Sequence, residues 1–527
     1  MSLLRTEWFD SLRINPNFAE SAQERARVRA YVQKSPSLRS FLSEWSNAPA
    51  RRRISQPLTR PNDIFTPPRD MTLTSSSKAG NYLVATRSLS AGAVVLEELP
   101  FTHALKLELK NARCEACLAV LGDKDVKRIK CAECNEVWFC GKECFDNDRG
   151  GHRFVCGLKG LSAKFGEITE MAVKAYFMQK HGAPDYLNDK YGFNTLVHHL
   201  DAQPPALVSQ YAITASILAI TFGLPDEALL ELMHMLAKVR CNAFKIQGDK
   251  SESTVVREGN TVEFTSTSIG LGLYLVASRI NHDCSPNSIV KFEHVENSLV
   301  LKVIVAREVK EGEPVCISYG PLVGKQRTEQ RKRILRENYF FDCECESCQN
   351  SEQNPLEYVY RCSDSACSNF LSEQDALCSR CATPVNLVQR QALMHQIQSL
   401  IQDISFDPAM SKLNKLLEVQ LRVYHPQCRL IGMTYDRMAQ VLAYMGQYTQ
   451  AVEKCRKSLE IVQRVYGEGV ELANEKIKLC SLLFNSGQHS EALAEVEETL
   501  AKYQHVLDES GIEELQEMRQ FLRDLAL

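Results

Sequence analysis

The sequence predicts an α+β protein: a β-rich domain assembled from separated pieces, then an all-α repeat domain. Three observations carry that expectation. Strand-like alternation at residues 82–97 returns only at 289–319, with a cysteine-dense block and a helical stretch between. Sixteen Cys and His residues fall into close metal-ligand spacings. Beyond residue 386 the pattern is helical, and Gly446-Gln-Tyr-x-x-Ala451 recurs as Gly487-Gln-His-x-x-Ala492, 41 residues on, a period suited to tetratricopeptide-like helix hairpins.

Composition narrows the function classes. With 527 residues, 44% hydrophobic and 24% charged, the chain reads as an ordinary globular protein of roughly three or four domains. A net charge of −3 and a pI near 6.5 carry no strong nucleic-acid signal. No apolar run follows a basic start, so no secretory leader is expected. The run Ala212–Phe222 holds Thr214 and Ser216, is too short to span a bilayer, and reads as a buried helix, so no membrane partner is expected. Twenty cysteines without a leader point to metal ligands in a reducing compartment, cytoplasmic and/or nuclear. Cys241, Cys316, Cys428, Cys455 and Cys480 lie outside the ligand spacings and read as small buried hydrophobes.

In chain order, residues 1–70 read as a helical segment, with Trp8, Phe9, Tyr31 and Trp45 among charges, followed by a Pro-rich linker. Arg52-Arg53-Ile54-Ser55 in that linker admits a phosphorylation site, and a solvated linker is the simpler reading. The β domain covers 72–320, starting with strands at Tyr82–Thr86 and Ala93–Glu97. A cysteine block at 114–156 and a helical segment at 157–240 interrupt it before strands near Ile289–Phe292, Leu299–Ala306 and Val315–Tyr319. Metal motifs at 336–350 and 360–383 precede helical repeats over 386–527.

The ligand spacings give four groups of four. Cys284 is a lone thiol, and Cys343-x-Cys345-x2-Cys348 is one ligand short of a tetrahedral zinc site. Joined, they would pin the segment carrying Asn281 and His282 against that carrying Tyr339 and Phe341. Cys114, Cys117, Cys131, Cys134, Cys140, Cys144, His152 and Cys156 suit two closed sites. Cys362-x4-Cys367-x10-Cys378-x2-Cys381 suits a zinc ribbon, for about four structural Zn²⁺ in all.

Asn281-His282-x-Cys284-x-Pro286-Asn287 followed by the CxCxxC motif resembles the SET domain, a protein-lysine methyltransferase fold. The eight-ligand block, with Trp138-Phe139 before Cys140, resembles the MYND zinc finger. From about residue 72 onward the chain is identified as a member of the SET and MYND domain (SMYD) family. It resembles the branch with a ribbon after the SET zinc and a C-terminal helical-repeat region. The resemblance implies interleaved metal pairing, with Cys114, Cys117, Cys140 and Cys144 on one zinc and Cys131, Cys134, His152 and Cys156 on the other. It also implies S-adenosyl-L-methionine as cofactor and a lysine of a histone or non-histone protein as substrate, with proline-containing peptides at the finger.

By the same resemblance, Gly80, Asn81, Asn242, Ser278, Asn281 and His282 hold the cofactor. Tyr319 is the catalytic tyrosine, also binding the cofactor, and Tyr339 and Phe341 close the lysine channel and bind the cofactor by stacking near its adenine. Tyr82 stands where many relatives keep glycine, Asp283 replaces a serine, and Arg279 replaces an aliphatic residue. A buried arginine needs a partner or a water path. The reading from a different class is a zinc-rich adaptor or transcriptional co-regulator, weak or inactive in catalysis, that recruits partners through the finger and repeats.

Overall fold

The computed structural model describes residues 21–46, 48–50, 68–121, 128–147, 150–181, 190–248, 254–258, 261–265, 268–295, 298–350, 359–406, 409–507 and 509–526. Trp8, Phe9, most of the linker and the Arg52–Ser55 motif lie outside them. Helix α1 (Ala22–Lys34) starts at Ser21, whose side chain accepts from the Glu24 amide, and α2 (Pro36–Trp45) follows with proline in its first turn. Val28, Val32, Leu38 and Trp45 are fully buried in one cluster with the helical insertion. Trp45 Nε1 donates to the Lys159 carbonyl at 3.1 Å, and Arg29 pairs with Asp226. These two helices are thus set apart from the insertion in sequence only.

The β domain begins with a hairpin of β1 (Met71–Ser76) and β2 (Gly80–Ala85). Gly80 sits at its turn with φ 64°, a left-handed conformation that favours glycine. Strands β3 (Val94–Glu98) and β4 (Thr102–Leu105) close the first piece. The insertion then supplies α3 (Glu167–His181), α4 (Pro205–Phe222) and α5 (Ala228–Asn242). Among the described residues α4 alone is long and apolar enough to cross a membrane, but 61% of it is buried in the core of the insertion.

Helix α5 runs straight into β5 (Ala243–Gln247), followed by β6 (Ser268–Leu273), β7 (Asn281–His282), β8 (Ser288–Val295), β9 (Ser298–Val305) and β10 (Cys316–Ile317). Strand β9 lies between β8 and β3, with Val303 opposite Leu96. Strand β6 lies between β4 and β5, with Gly272 opposite His103. Both sheets therefore join pieces from the two sides of the insertions. Alternate residues Leu299, Leu301, Val303 and Val305 of β9 are buried, the period-2 pattern of a half-covered strand.

The finger docks on this body through buried charges as well as apolar contacts, with Leu118 packed among Leu105, Ile269 and Leu299 and Phe154 stacked on Phe177. Lys174 on α3, fully buried, pairs with Glu115 at 2.9 Å and Glu170 at 2.8 Å, and donates to the His103 carbonyl. Lys110 adds a second pairing to Glu170 at 2.7 Å. Glu115 lies between the ligands Cys114 and Cys117, so the ion network reaches the metal loop itself.

After α6 (Thr328–Tyr339), the tail runs as α7 (Leu387–Phe406), α8 (Met410–Val423), α9 (Arg429–Tyr444), α10 (Tyr448–Tyr466), α11 (Val470–Asn485), α12 (His489–Tyr503) and α13 (Glu509–Ala526). The repeat glycines, Gly446 at φ 73° and Gly487 at φ 78°, make the turns before α10 and α12. Ala451 and Ala492 are fully buried where the helices approach. The tail returns to the β domain: His505 meets the Ala306 carbonyl, Lys291 donates to the Leu507 carbonyl, and Lys325 pairs with Glu471 at 2.9 Å.

Candidate active site

The metal ligands meet in four tetrads among the described residues, and within each the ligand atoms all lie within 4.8 Å of one another. The groupings are Cys114, Cys117, Cys140, Cys144; Cys131, Cys134, His152, Cys156; Cys284, Cys343, Cys345, Cys348; and Cys362, Cys367, Cys378, Cys381. The finger pairing is interleaved, as the resemblance implied. A tetrahedral zinc with Zn–S near 2.3 Å sets its sulfurs about 3.8 Å apart. Sulfur separations of 3.7 Å for Cys117–Cys140, 3.7 Å for Cys131–Cys156, 3.9 Å for Cys284–Cys343 and 3.8 Å for Cys367–Cys378 fit that geometry. Arg331, fully buried, donates to Cys348 Sγ at 3.6 Å and to the Ser347 carbonyl at 3.1 Å, placing a positive charge beside the thiolates.

The Cys284 tetrad shapes a cleft of about 2930 Å³. That exceeds the roughly 300–1,000 Å³ of a small-molecule pocket and leaves room for a polypeptide as well. One wall comes from the β domain and the Cys343–Cys348 loop, the other from the tail through Arg464–Glu471 and Val506–Leu507. Gly80, Asn81, Asn242, Ser278, Asn281, His282, Tyr319, Tyr339 and Phe341 all line it. Its hairpin rim is held at both ends: Asn281 Nδ2 donates to the Ala79 carbonyl at 2.9 Å, and Lys78 pairs with Glu344 in the zinc loop.

Tyr319 stands at the centre of an aromatic group. Its ring centroid lies 4.8 Å from Tyr339, 5.3 Å from His282 and 6.3 Å from Phe341. Its hydroxyl donates to the Ile280 carbonyl at 2.8 Å, while Tyr339 Oη donates to the Tyr319 carbonyl at 3.0 Å. Burial, then Tyr339 and Cys316, push the Tyr319 phenol above its ordinary value, so it stays protonated at neutral pH. His282 is engaged at both ring nitrogens. Nδ1 accepts from the Tyr319 amide at 3.0 Å, and Nε2 faces Cys284 Sγ at 3.3 Å. Burial lowers its pKa to about 4, so the ring is neutral and its proton points at the sulfur.

Asn242 ends α5 with both amide hydrogens committed, to the Val197 and Lys238 carbonyls at 2.8 Å each. What its amide offers the cleft is the oxygen, an acceptor suited to an ammonium group. Ser278 Oγ bridges the Tyr274 and Asn242 carbonyls, locking the cofactor segment to the end of α5.

Two bracing residues were missed by sequence reasoning. Glu98, buried at the end of β3, accepts from the Val276 and Ala277 amides at 2.9 Å each, just ahead of the Asn-His pair. Burial raises its pKa to about 7 against the pull of those amides and Arg279. Nothing in local spacing links Glu98 to a segment so far along the chain. Asn287 accepts from the Cys316 amide and donates to the Pro314 carbonyl, at 2.8 Å each, holding the parallel crossing of β7 and β10. Its place at the end of the Asn281–Asn287 string was the available signal.

The SET domain family matches residues 80–320 and a tetratricopeptide repeat family matches 432–469. The histone-lysine N-methyltransferase ASHR1 of Arabidopsis thaliana is 24% identical over 414 residues, covering 73% of this chain and 81% of the relative. The protein-lysine N-methyltransferase SMYD4 of Homo sapiens is 28% identical over 323 residues, covering 56% of this chain and 38% of the relative. The histone-lysine N-methyltransferase SMYD3 of Homo sapiens is 22% identical, covering 77% and 95%. A solved SET domain of LSMT bound to lysine and AdoHcy overlaps 88% of each chain at 11% identity, with a TM-score of 0.29. The SET match, the repeat match and these relatives make the chain similar to methyltransferases of the SET and MYND kind.

Proposed function

We propose that this protein is an S-adenosylmethionine-dependent protein-lysine N-methyltransferase. The observation that carries the reading is the setting of Tyr319, half-buried among Tyr339 and Phe341 with its proton given to the Ile280 carbonyl. A phenol so arranged offers its oxygen lone pairs to a substrate amine and aims the nitrogen without surrendering a proton. The attacking lysine must be neutral, and aromatic walls disfavour its ammonium form by removing water. The cofactor, when bound, supplies the electrophilic methyl group.

The role of each residue follows from what it has left to give. Asn242 presents an amide oxygen towards the ammonium of the cofactor's amino-acid end. Gly80 and Asn81 form the hairpin edge over that end. Asn281 and Ser278 hold the segment on which the nucleoside end rests, and His282 acts mainly by orienting Tyr319. Tyr339 and Phe341 screen the lysine channel. The tail wall is the face that reads the substrate polypeptide, because its exposed Glu468 and Glu513 and the half-exposed Glu471 border the same cleft. The finger is a docking site for proline-containing peptides, with the zinc ions structural throughout.

Calorimetric titration with S-adenosylhomocysteine and a methyl-transfer assay on whole lysate, both repeated with Tyr319→Phe, test this reading. The expected result is binding by both proteins and at least a hundredfold lower turnover for the variant, a group acting mainly in the transition state. Wild-type protein that binds the nucleoside yet methylates nothing would leave the adaptor reading as the better one.

A further inference from the structure

Arg279 lies in the cofactor segment two residues before Asn281, and its side chain is almost wholly buried. Its partner is the insertion. Nη1 donates to the Thr195 carbonyl at 2.7 Å, and Nη2 donates to the Gly192 carbonyl at 2.9 Å and to Thr195 Oγ1 at 2.6 Å. The strap Gly192–His199 joins α3 to α4 with only one short 3₁₀ turn of its own, Phe193–Thr195, so most of its carbonyls need outside donors.

Those donors converge from the cofactor side. Lys238 Nζ reaches the Asn194 carbonyl at 3.0 Å and lies over the Phe193 ring, 5.0 Å from its centroid. Asn242 takes the Val197 carbonyl, and Gln203 takes the His198 carbonyl at 2.8 Å. Beyond the clamp, Val197 and His199 line the cleft beside Asn242 and Ser278. The strap is therefore a wall of the cofactor end, held by side chains of the same segments that carry the cofactor residues.

We propose that Arg279 is a positioning residue for cofactor binding, its forked guanidinium cross-linking strap 192–199 to segment 276–282 so that the two sides of the cofactor end move as one body. Guanidinium geometry is essential to this role, because a single cation on a flexible stem cannot meet three acceptors in one plane. The inference deepens the methyltransferase reading of the cleft and rests on it for the identity of the ligand. The clamp itself is a property of the ligand-free protein.

The test measures hydrogen exchange of amides 192–199 without ligand and S-adenosylhomocysteine affinity by calorimetry, in full-length Arg279→Leu, Arg279→Lys and Thr195→Val. Steady-state kinetics at saturating cofactor complete it. Arg279→Leu is expected to speed exchange across the strap and weaken nucleoside binding by at least about tenfold, the loss that goes with stranding buried acceptors. Turnover at saturation should stay within about threefold, because Tyr319 keeps its own contacts. Arg279→Lys should fall between wild type and Arg279→Leu. If Arg279→Leu does not fold, the milder pair decides: Arg279→Lys and Thr195→Val should be non-additive in nucleoside affinity, since both act on one contact. Unchanged strap exchange with unchanged affinity, or additive effects in the milder pair, would overturn the proposal. Wild-type protein that binds no nucleoside would instead refute the methyltransferase reading, and strap exchange alone would then judge the clamp.

Discussion

The two walls of the cleft are held in different ways. On the β-domain side the anchoring charges are buried, apart from the exposed rim pair Lys78–Glu344: Lys174 between Glu115 and Glu170, Glu98 on two backbone amides, Arg279 on the strap. On the tail side the anchors are half-exposed, as in Lys325–Glu471, whose side chains are 37% and 31% exposed. Buried charges lose several kcal/mol when a partner is removed, whereas exposed pairs contribute about 1 kcal/mol or less. The difference teaches a division of labour. The wall that must fit one cofactor is rigid, and the wall that would meet polypeptides can be altered at small cost to the fold.

The largest effect expected is that of Lys174→Met. It leaves Glu115 and Glu170 buried without their shared cation, and should cost about 3–5 kcal/mol in urea unfolding. A loss under 1 kcal/mol would mean that buried charge does not hold the finger, and the contrast between the walls would collapse. Next is Cys284→Ser, which opens the tetrad that joins the two halves of the near wall. Elemental analysis should fall from about four zincs per chain to about three, with nucleoside affinity reduced on the order of a hundredfold. Retention of the full zinc content would remove Cys284 from the ligand set.

Glu98 sharpens the comparison through pH. Its folded pKa of about 7 lies above the ordinary 4.5, so the folded protein holds a proton that the unfolded chain has released between those values. The Glu98 contribution to stability therefore falls as pH rises from about 4.5 to about 7. Glu98→Gln should flatten the stability–pH curve in that window by a few kcal/mol on the order of the shift. A variant curve parallel to wild type would show that Glu98 is solvated. The smallest effect belongs to the far wall: Lys325→Ala should change unfolding free energy by less than about 1 kcal/mol while altering KM for a protein substrate. A loss of several kcal/mol there would make both walls equally rigid.

Much of this molecule was legible before its fold was known. Strands at both ends of the β domain were visible because alternation survives burial of one face, as in β9. The metal tetrads were legible because ligand chemistry demands thiols at short spacing, and the pairing of Cys343–Cys348 with Cys284 was legible because that motif is one ligand short and Cys284 lies in the string that resembles the SET domain. The repeat was written in glycines that need positive φ. The burial of α1 and α2 against the insertion was not legible, because an amphipathic helix announces an apolar face and not what covers it.

What the sequence determined by itself is the inventory of parts: the kinds of strand and helix, the sets of ligands, and the order of Asn242, Asn281 and Tyr319 along the chain. Tertiary structure alone decided what those parts touch. It committed both amide hydrogens of Asn242, turned the His282 ring towards Tyr319 and Cys284, and brought Glu98 under Val276. It also supplied the partner that a buried Arg279 required, from a strap more than eighty residues earlier. The physical reason is that a polar side chain states in sequence only that it must be satisfied. Which donor or acceptor satisfies it depends on which distant backbone groups the packed core leaves unpaired beside it.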